Sequence, residues 1–244
     1  MGSEDAESAI VILRTFAYFH HENITEDIIK RAAEALKAPN GEVCGNVCFP
    51  PRLLQLDQAG TWDPHLFCKG IGILLSFSLL RKASGIYSLH PLVHCWSRDS
   101  MSDEERQTSF SAASTLLSSS ITYRFTSKDL AYRRTIIPHI KALWDSTSYD
   151  EERYEKFALA FHEAGHWKEA EELKVQVMQT RKRVLGGDHP HTLRSIANLA
   201  LTYLQQGRWK EAEELSVQVM QTSKRVLGEE HRDTLIRIGS LAAT

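Results

Sequence analysis

The sequence predicts a mainly α-helical protein in two parts: helices with a small β-hairpin first, then helices stacked as an α-α superhelix. Three observations carry this. Gly165 to Leu193 aligns with Gly207 to Leu235 at an offset of 42, and 22 of those 29 positions are identical. Apolar residues recur at helical spacing through both parts. The composition also divides. Residues 1–150 hold 15 basic and 17 acidic residues and all four cysteines, whereas residues 151–244 hold 14 of each charge in a shorter span.

In the first part, Ala9, Ile10, Ile12, Leu13, Phe16 and Phe19 share one broad face, which predicts an amphipathic helix over Ala6 to His20. Asn23-Ile24-Thr25-Glu26-Asp27 reads as a helix start, with Thr25 as cap and acids in the first turn. Ile28, Ile29, Ala32, Ala33 and Leu36 complete that second helix. Trp62-Asp63-Pro64 reads as another start, with Asp63 capping and Pro64 at the first helical position. Leu75 to Arg81 and Ile86 to His90 flank Lys82-Ala83-Ser84-Gly85 and predict a β-hairpin. Pro91 then opens a helix through Leu92, Val93 and Trp96. Helices, a hairpin wing and a further helix describe a winged-helix-like domain over residues 1–100. Connector helices are expected over 101–149, with a boundary at the loop-like Asp145-Ser146-Thr147-Ser148.

Over 151–244, each 42-residue unit reads as two helices. Ile196 to Gln206 carries Leu199, Ala200 and Tyr203 as one apolar stripe, and Gly207 permits a positive-φ stop. Trp209 to Val226 carries Ala212, Leu215 and Val219 on its inner face, with Gly228 as the expected C-cap. Ala200 and Ala212 are small residues that let facing backbones approach. Lys210, Glu211, Glu213 and Glu214 are expected on the solvated outer face. The run Arg181-Lys182-Arg183 reads as a solvated last turn that complements the helix dipole. The last unit stops at Thr244 inside its first helix, which leaves Leu241 and Ala242 without a polar cap. A longer array, or pairing with another molecule at that end, is the expectation.

The repeat resembles a tetratricopeptide array of the kinesin-light-chain type. The residues that carry the likeness are Asn198-Leu199-Ala200-x-x-Tyr203, Gln206-Gly207-Arg208, Glu211-Ala212-Glu213-x-Leu215 and Leu185-Gly186-x-x-His189-Pro190-x-Thr192-Leu193. The resemblance implies a concave groove, lined by the first helices of successive repeats, that binds a protein or peptide partner. It implies that an asparagine on the first helix contacts ligand backbone. Asn198 holds that position here, Lys156 and Ser240 hold the equivalent places in the flanking units, and Tyr203 accompanies Asn198.

Three further pieces, in order, carry a second resemblance: Phe16-Ala17-Tyr18-Phe19-His20-His21-Glu22-Asn23-Ile24, Leu75 to Leu80, and Ile86-Tyr87-Ser88-Leu89-His90-Pro91-Leu92-Val93-His94-x-Trp96. They resemble the winged-helix end of NB-ARC-type STAND ATPases, in their NLR-like fungal members with repeat sensors. Arg133-Arg134-x-Ile136-Ile137-Pro138-His139-Ile140 resembles the connector helix of that family. By this resemblance His90 occupies an ADP-sensing position, used only where a nucleotide domain is present. Pro91 stands where many relatives have an acid.

These readings imply a regulatory and signalling module that recognises a partner and performs no chemistry itself. The chain has no G-x-x-x-x-G-K-[ST] loop to cradle phosphate, so no ATP hydrolysis and no bound cofactor are expected. Cys44, Cys48, Cys68 and Cys95, with His90 and His94, lack the paired close spacing of a zinc site, so no metal is expected. His20 and His21 are expected to face solvent. A net charge of −2 argues against a strongly basic nucleic-acid binder. The alternative reading is nonetheless nucleic-acid binding through the winged helix, where Ala6 to Leu36 supplies only Arg14, Lys30 and Arg31. The acidic start Met1 to Asp5 lacks the basic region of a signal peptide. The apolar stretch Gly70 to Leu80 is too short to span a bilayer. A reduced, cytoplasmic setting without a membrane is therefore expected.

Overall fold

A computed structural model describes residues 3–35, 49–144 and 150–231, and the chain divides into two units, Met1–Ser148 and Tyr149–Thr244. The fold is mainly helical, with one small sheet among the described residues.

In the first unit, α1 (Ser3–Phe16) buries Ala9, Ile12, Leu13 and Phe16. It ends before the expected His20. Ala17 to Phe19 instead form a turn in which the Tyr18 and Phe19 amides bond to the Thr15 and Phe16 carbonyls, and Phe19 stays buried. Ile10, expected inside, is exposed. A step of about 100° per residue turns it away from the line of Ala9, Leu13 and Phe16. Ile24 and Thr25 form β1, a strand the sequence does not announce, and α2 (Glu26–Ala35) follows directly with Glu26 and Asp27 in its first turn. Ile28, Ile29, Ala32 and Ala33 are buried as expected, while Leu36 lies outside the described residues.

Asp63 accepts the His65 amide at 3.0 Å, and α3 (His65–Ser76) begins one residue after Pro64. This helix overturns the strand expected over Leu75 to Arg81. Phe67, Ile71 and Leu74 are buried at helical spacing, and the Phe77 amide still bonds to the Ile73 carbonyl. Ser78 then turns the chain at φ 56°, so only Leu80–Ala83 is left to form β2. The hairpin to β3 (Ile86–Leu89) turns on two residues rather than four. Ser84 and Gly85 have φ 49° and 80°, the double positive φ that matches strand twist in a tight hairpin. The sheet order is β1-β3-β2, all antiparallel, with Tyr87 opposite Ile24 and Leu89 opposite Leu80.

The core between these elements is aromatic. Phe67 lies 6.4 Å from Phe16 and 6.3 Å from Tyr87, ring centre to ring centre. At Gly70 the helices α1 and α3 come so close that a Cβ would lie 2.8 Å from Ile12 Cδ1 and 3.2 Å from the Ala9 backbone nitrogen. Helix α4 (Pro91–Asp99) leaves Leu92 74% and Trp96 59% exposed, while Val93 is half-buried. Helix α5 (Asp103–Ser120) starts in a reciprocal Ser102–Glu105 cap and packs on α1 and α2. The segment read as one connector helix breaks at Ile136 into α6 (Ser127–Thr135) and α7 (Ile137–Leu143), because Pro138 has no amide to continue the ladder. All three helices belong to the same unit as α1. The expected boundary loop Asp145 to Ser148 lies outside the described residues.

In the second unit, α8 (Glu151–Glu163), α9 (Trp167–Leu185), α10 (Pro190–Gln205) and α11 (Trp209–Leu227) pack each on the next. Ala158, Ala170, Ala200 and Ala212 are all buried. Leu193, Ile196 and Val219 form a core against which Met178, Ala197 and Leu215 pack. Helix α10 begins at Pro190, six residues before the expected Ile196. His189 caps it, and proline at the first position is already set for helix. Gly186 and Gly228 end α9 and α11 at φ 92° and 91°, where a side chain would be strained. Lys210, Glu211, Glu213 and Glu214 are exposed. Arg181 corrects the expectation of a solvated run: only 4% exposed, it is drawn inward by two carboxylates.

Candidate functional site

Helix α10 has two faces. Leu193, Ile196, Leu199 and Ala200 are buried, whereas His191, Arg194, Asn198, Leu201 and Gln205 are exposed at alternating steps of three and four, which makes one stripe. Leu201 is 49% exposed. Lys156, the counterpart of Asn198 on α8, is half-buried, and its Nζ is 2.7 Å from Glu152. Leu159, the counterpart of Leu201, is half-buried as well. Tyr203 does not share the stripe. It stands about 140° around the helix from Asn198, half-buried beneath the Arg208 guanidinium at 3.9 Å. Ser240, Leu241, Ala242 and Thr244 lie outside the described residues.

Beneath this stripe are two polar junctions that repeat-matching does not reveal. Lys174 on α9 extends to α10, where its Nζ donates to Thr202 Oγ1 at 2.7 Å and to the Asn198 carbonyl at 3.2 Å. His162 Nδ1 of α8 lies 3.4 Å away. Burial pushes the Lys174 amine down to about 8, and burial with the nearby Lys174 charge pushes His162 down to about 4. Arg181, also on α9, holds Glu151 at 2.7 Å and Glu155 at 2.8 Å. The signal for both lay in departures from the repeat. Helices α9 and α11 are identical at 17 of 19 positions, and the two differences are Lys174/Ser216 and Arg181/Ser223. A third network fastens the repeats to each other: Arg208 bonds to Glu171 at 2.8 Å and to Glu211, and Gln206 Nε2 bonds to Glu171 at 2.8 Å.

In the first unit, His90 is exposed and serves as the N-cap of α4, its Nδ1 accepting the Leu92 amide at 3.2 Å. His20 and His21 are not solvent-facing as expected. Both are half-buried, in a cluster with His94 and His139. His139 Nδ1 accepts the His20 amide at 3.2 Å, so its proton sits on Nε2 and is donated to the Asn23 carbonyl at 3.1 Å. Burial pushes that ring down to about 4. His94 Nε2 bonds to the Phe19 carbonyl at 2.8 Å, and the Leu89 amide bonds to the His21 carbonyl. The loop from Phe19 to Asn23 is thus held by α4, β3 and α7 together.

Two of the basic residues counted for nucleic-acid binding are engaged. Arg31 pairs with Asp27 and Asp129, and Arg14 pairs with Glu105. Cys68 and Cys95 are exposed thiols, and Cys44 and Cys48 lie outside the described residues. Among the described residues, no group of three or more histidine, cysteine or acidic side chains is placed to hold a metal. No helix among them is long and apolar enough to cross a membrane.

Residues 153–225 match the tetratricopeptide repeat family. The match covers α9 and α10 and most of α8 and α11, so the chain carries tetratricopeptide repeats, and repeats of this family generally mediate protein–protein interaction. No curated protein matches the chain.

Proposed function

We propose that the repeat unit binds a protein or peptide partner across the exposed stripe of α10, as a non-enzymatic recognition module. The observation that carries this is the stripe itself. Arg194, Asn198, Leu201 and Gln205 face outward beside a fully packed inner face, and Leu201 adds exposed apolar surface within the polar row. The kinesin-light-chain-like sequence between Asn198 and Leu215 supports the same reading.

The first unit, on this reading, is a winged-helix-like module. It couples partner binding to a STAND-type nucleotide switch, outside this chain, in a cytoplasmic signalling protein. The order α1, β1, α2, α3, hairpin, α4 supports it. So does the ring of His90: with Nδ1 accepting the Leu92 amide, its proton sits on Nε2, a donor suited to a phosphate oxygen.

The test uses the full chain and an array of random, C-terminally amidated dodecapeptides. Wild type should select a subset of peptides. Asn198→Ala and Leu201→Glu should each weaken that subset at least tenfold, and Ile10→Glu, off the stripe, should not. Equal binding by all four proteins, or no binding by any, overturns the proposal.

A further inference from the structure

We propose that Ser84, at the tip of the β2–β3 hairpin, is a phosphorylation site for a serine/threonine kinase that selects basic substrates. Arg81 and Lys82 stand three and two residues before it. No other serine or threonine in the sequence has a lysine or arginine at both of those places. A kinase cleft lined with carboxylates reads such a pair, because a guanidinium grips a carboxylate through two parallel hydrogen bonds.

The fold presents this run to solvent. Every residue from Arg81 to Ile86 is exposed, and the buried anchors of the hairpin, Leu80, Tyr87 and Leu89, lie outside that run. In the order β1-β3-β2 the strand β2 is an edge, so one side of Arg81 to Ala83 is unpaired and already extended. The turn opens as far as Ile86 without uncovering a buried side chain, which makes the opening local. Opening also frees Ser84 from a φ of 49°, a region that residues with a side chain rarely occupy. Ser109 and Ser127 are placed otherwise. Each has an arginine three residues before it, but both stand in helices, and Ser109 is buried.

The transfer joins the γ-phosphorus of ATP to Ser84 Oγ. The bond from that phosphorus to the bridging oxygen breaks, ADP leaves, and the hydroxyl proton passes to the base of the kinase. The product carries close to two negative charges, which offset the positive charges of Arg81 and Lys82. Lys82 now ties the hairpin to α2, with its Nζ 3.1 Å from Glu26 Oε1 and 3.0 Å from the Tyr87 hydroxyl. The phosphate competes with Glu26 for that ammonium. An exposed pair of this kind contributes little to stability, so the modification changes the charge of the tip and leaves the unit folded.

The test uses the full chain, ATP and the catalytic subunit of cAMP-dependent protein kinase as a basic-selecting probe. Mass spectrometry should find Ser84 as the main acceptor. Ser84→Ala should remove most of the incorporated phosphate, and Arg81→Ala should slow incorporation about tenfold. Thermal melts check that both variants and the phosphorylated chain are folded. A synthetic peptide of residues 78–90 is run beside the protein. Modification of the peptide but not of the folded chain overturns the proposal, because the hairpin then hides the serine. So does modification of neither, or an Arg81→Ala rate equal to wild type.

Discussion

His90 and His189 share one geometry. Each stands immediately before a proline at a helix start, and each accepts on Nδ1 the amide two residues on, at 3.2 Å in both cases. Their backbones agree as well, with φ −64° and ψ 136° at His90 and φ −66° and ψ 138° at His189. A histidine ring here does the work usually given to Ser, Thr, Asp or Asn.

Replacing either ring by alanine removes that acceptor. His90→Ala and His189→Ala should each cost about 1 kcal/mol, measured by urea denaturation. Asp in the same places should keep most of it. Unchanged stability in both alanine variants would show that the caps are dispensable.

Arg181, Glu151 and Glu155 form a charged trio whose counterparts one repeat later are Ser223, Leu193 and Ala197. The trio changed character as a set, because a buried charge needs its partners. Arg181→Ser alone leaves two acids facing each other and should cost about 3 kcal/mol. The triple variant Arg181→Ser, Glu151→Leu, Glu155→Ala copies the next repeat and should recover most of the loss. Equal loss in the single and triple variants would refute the set.

His139 predicts an acid-sensitive first unit. Its folded pKa, about 4, lies below the ~6.5 of an unfolded histidine. As pH falls, the unfolded chain takes up this proton first. The contribution is therefore complete above about pH 6.5 and is lost progressively down to pH 4, amounting to about 3 kcal/mol. His139→Gln should be less stable than wild type at pH 7 and flatter between pH 6.5 and 4. Parallel stability curves for the two proteins would contradict this.

At Gly70 any side chain meets Ile12 and the backbone of α1. Gly70→Val should destabilise the first unit by about 1–3 kcal/mol, while Gly72→Val, where no neighbour lies within 4 Å of an added Cβ, should lose much less. Thermal melts of the pair decide it.

The repeats were legible because a 42-residue copy is a pattern in the chain itself, and the inner faces of α10 and α11 follow from it. The extent of α3 was not. Leu75 to Leu80 is apolar enough for strand or helix, and only packing against α1 settles which. Asn198 was singled out by its place in the motif, and the structure leaves it exposed on α10. Tyr203 was drawn to the same site by the motif, and its ring lies instead under Arg208. Lys174 escaped notice because a lysine on a charged helix is ordinarily solvated. Its role depends on His162 and Thr202, 12 residues before it and 28 after.

The near-identity of α9 and α11 raises a problem of addressing. Two helices alike at 17 of 19 positions carry almost the same inner face, so little in their sequences tells one berth from the other. In the berth of α9, α11 would bring serines to Glu151, Glu155 and Thr202, and in the berth of α11, α9 would drive an arginine against Leu193 and Ala197. Lys174 and Arg181 are thus the address label of the array: the two positions at which one copy is told from the other.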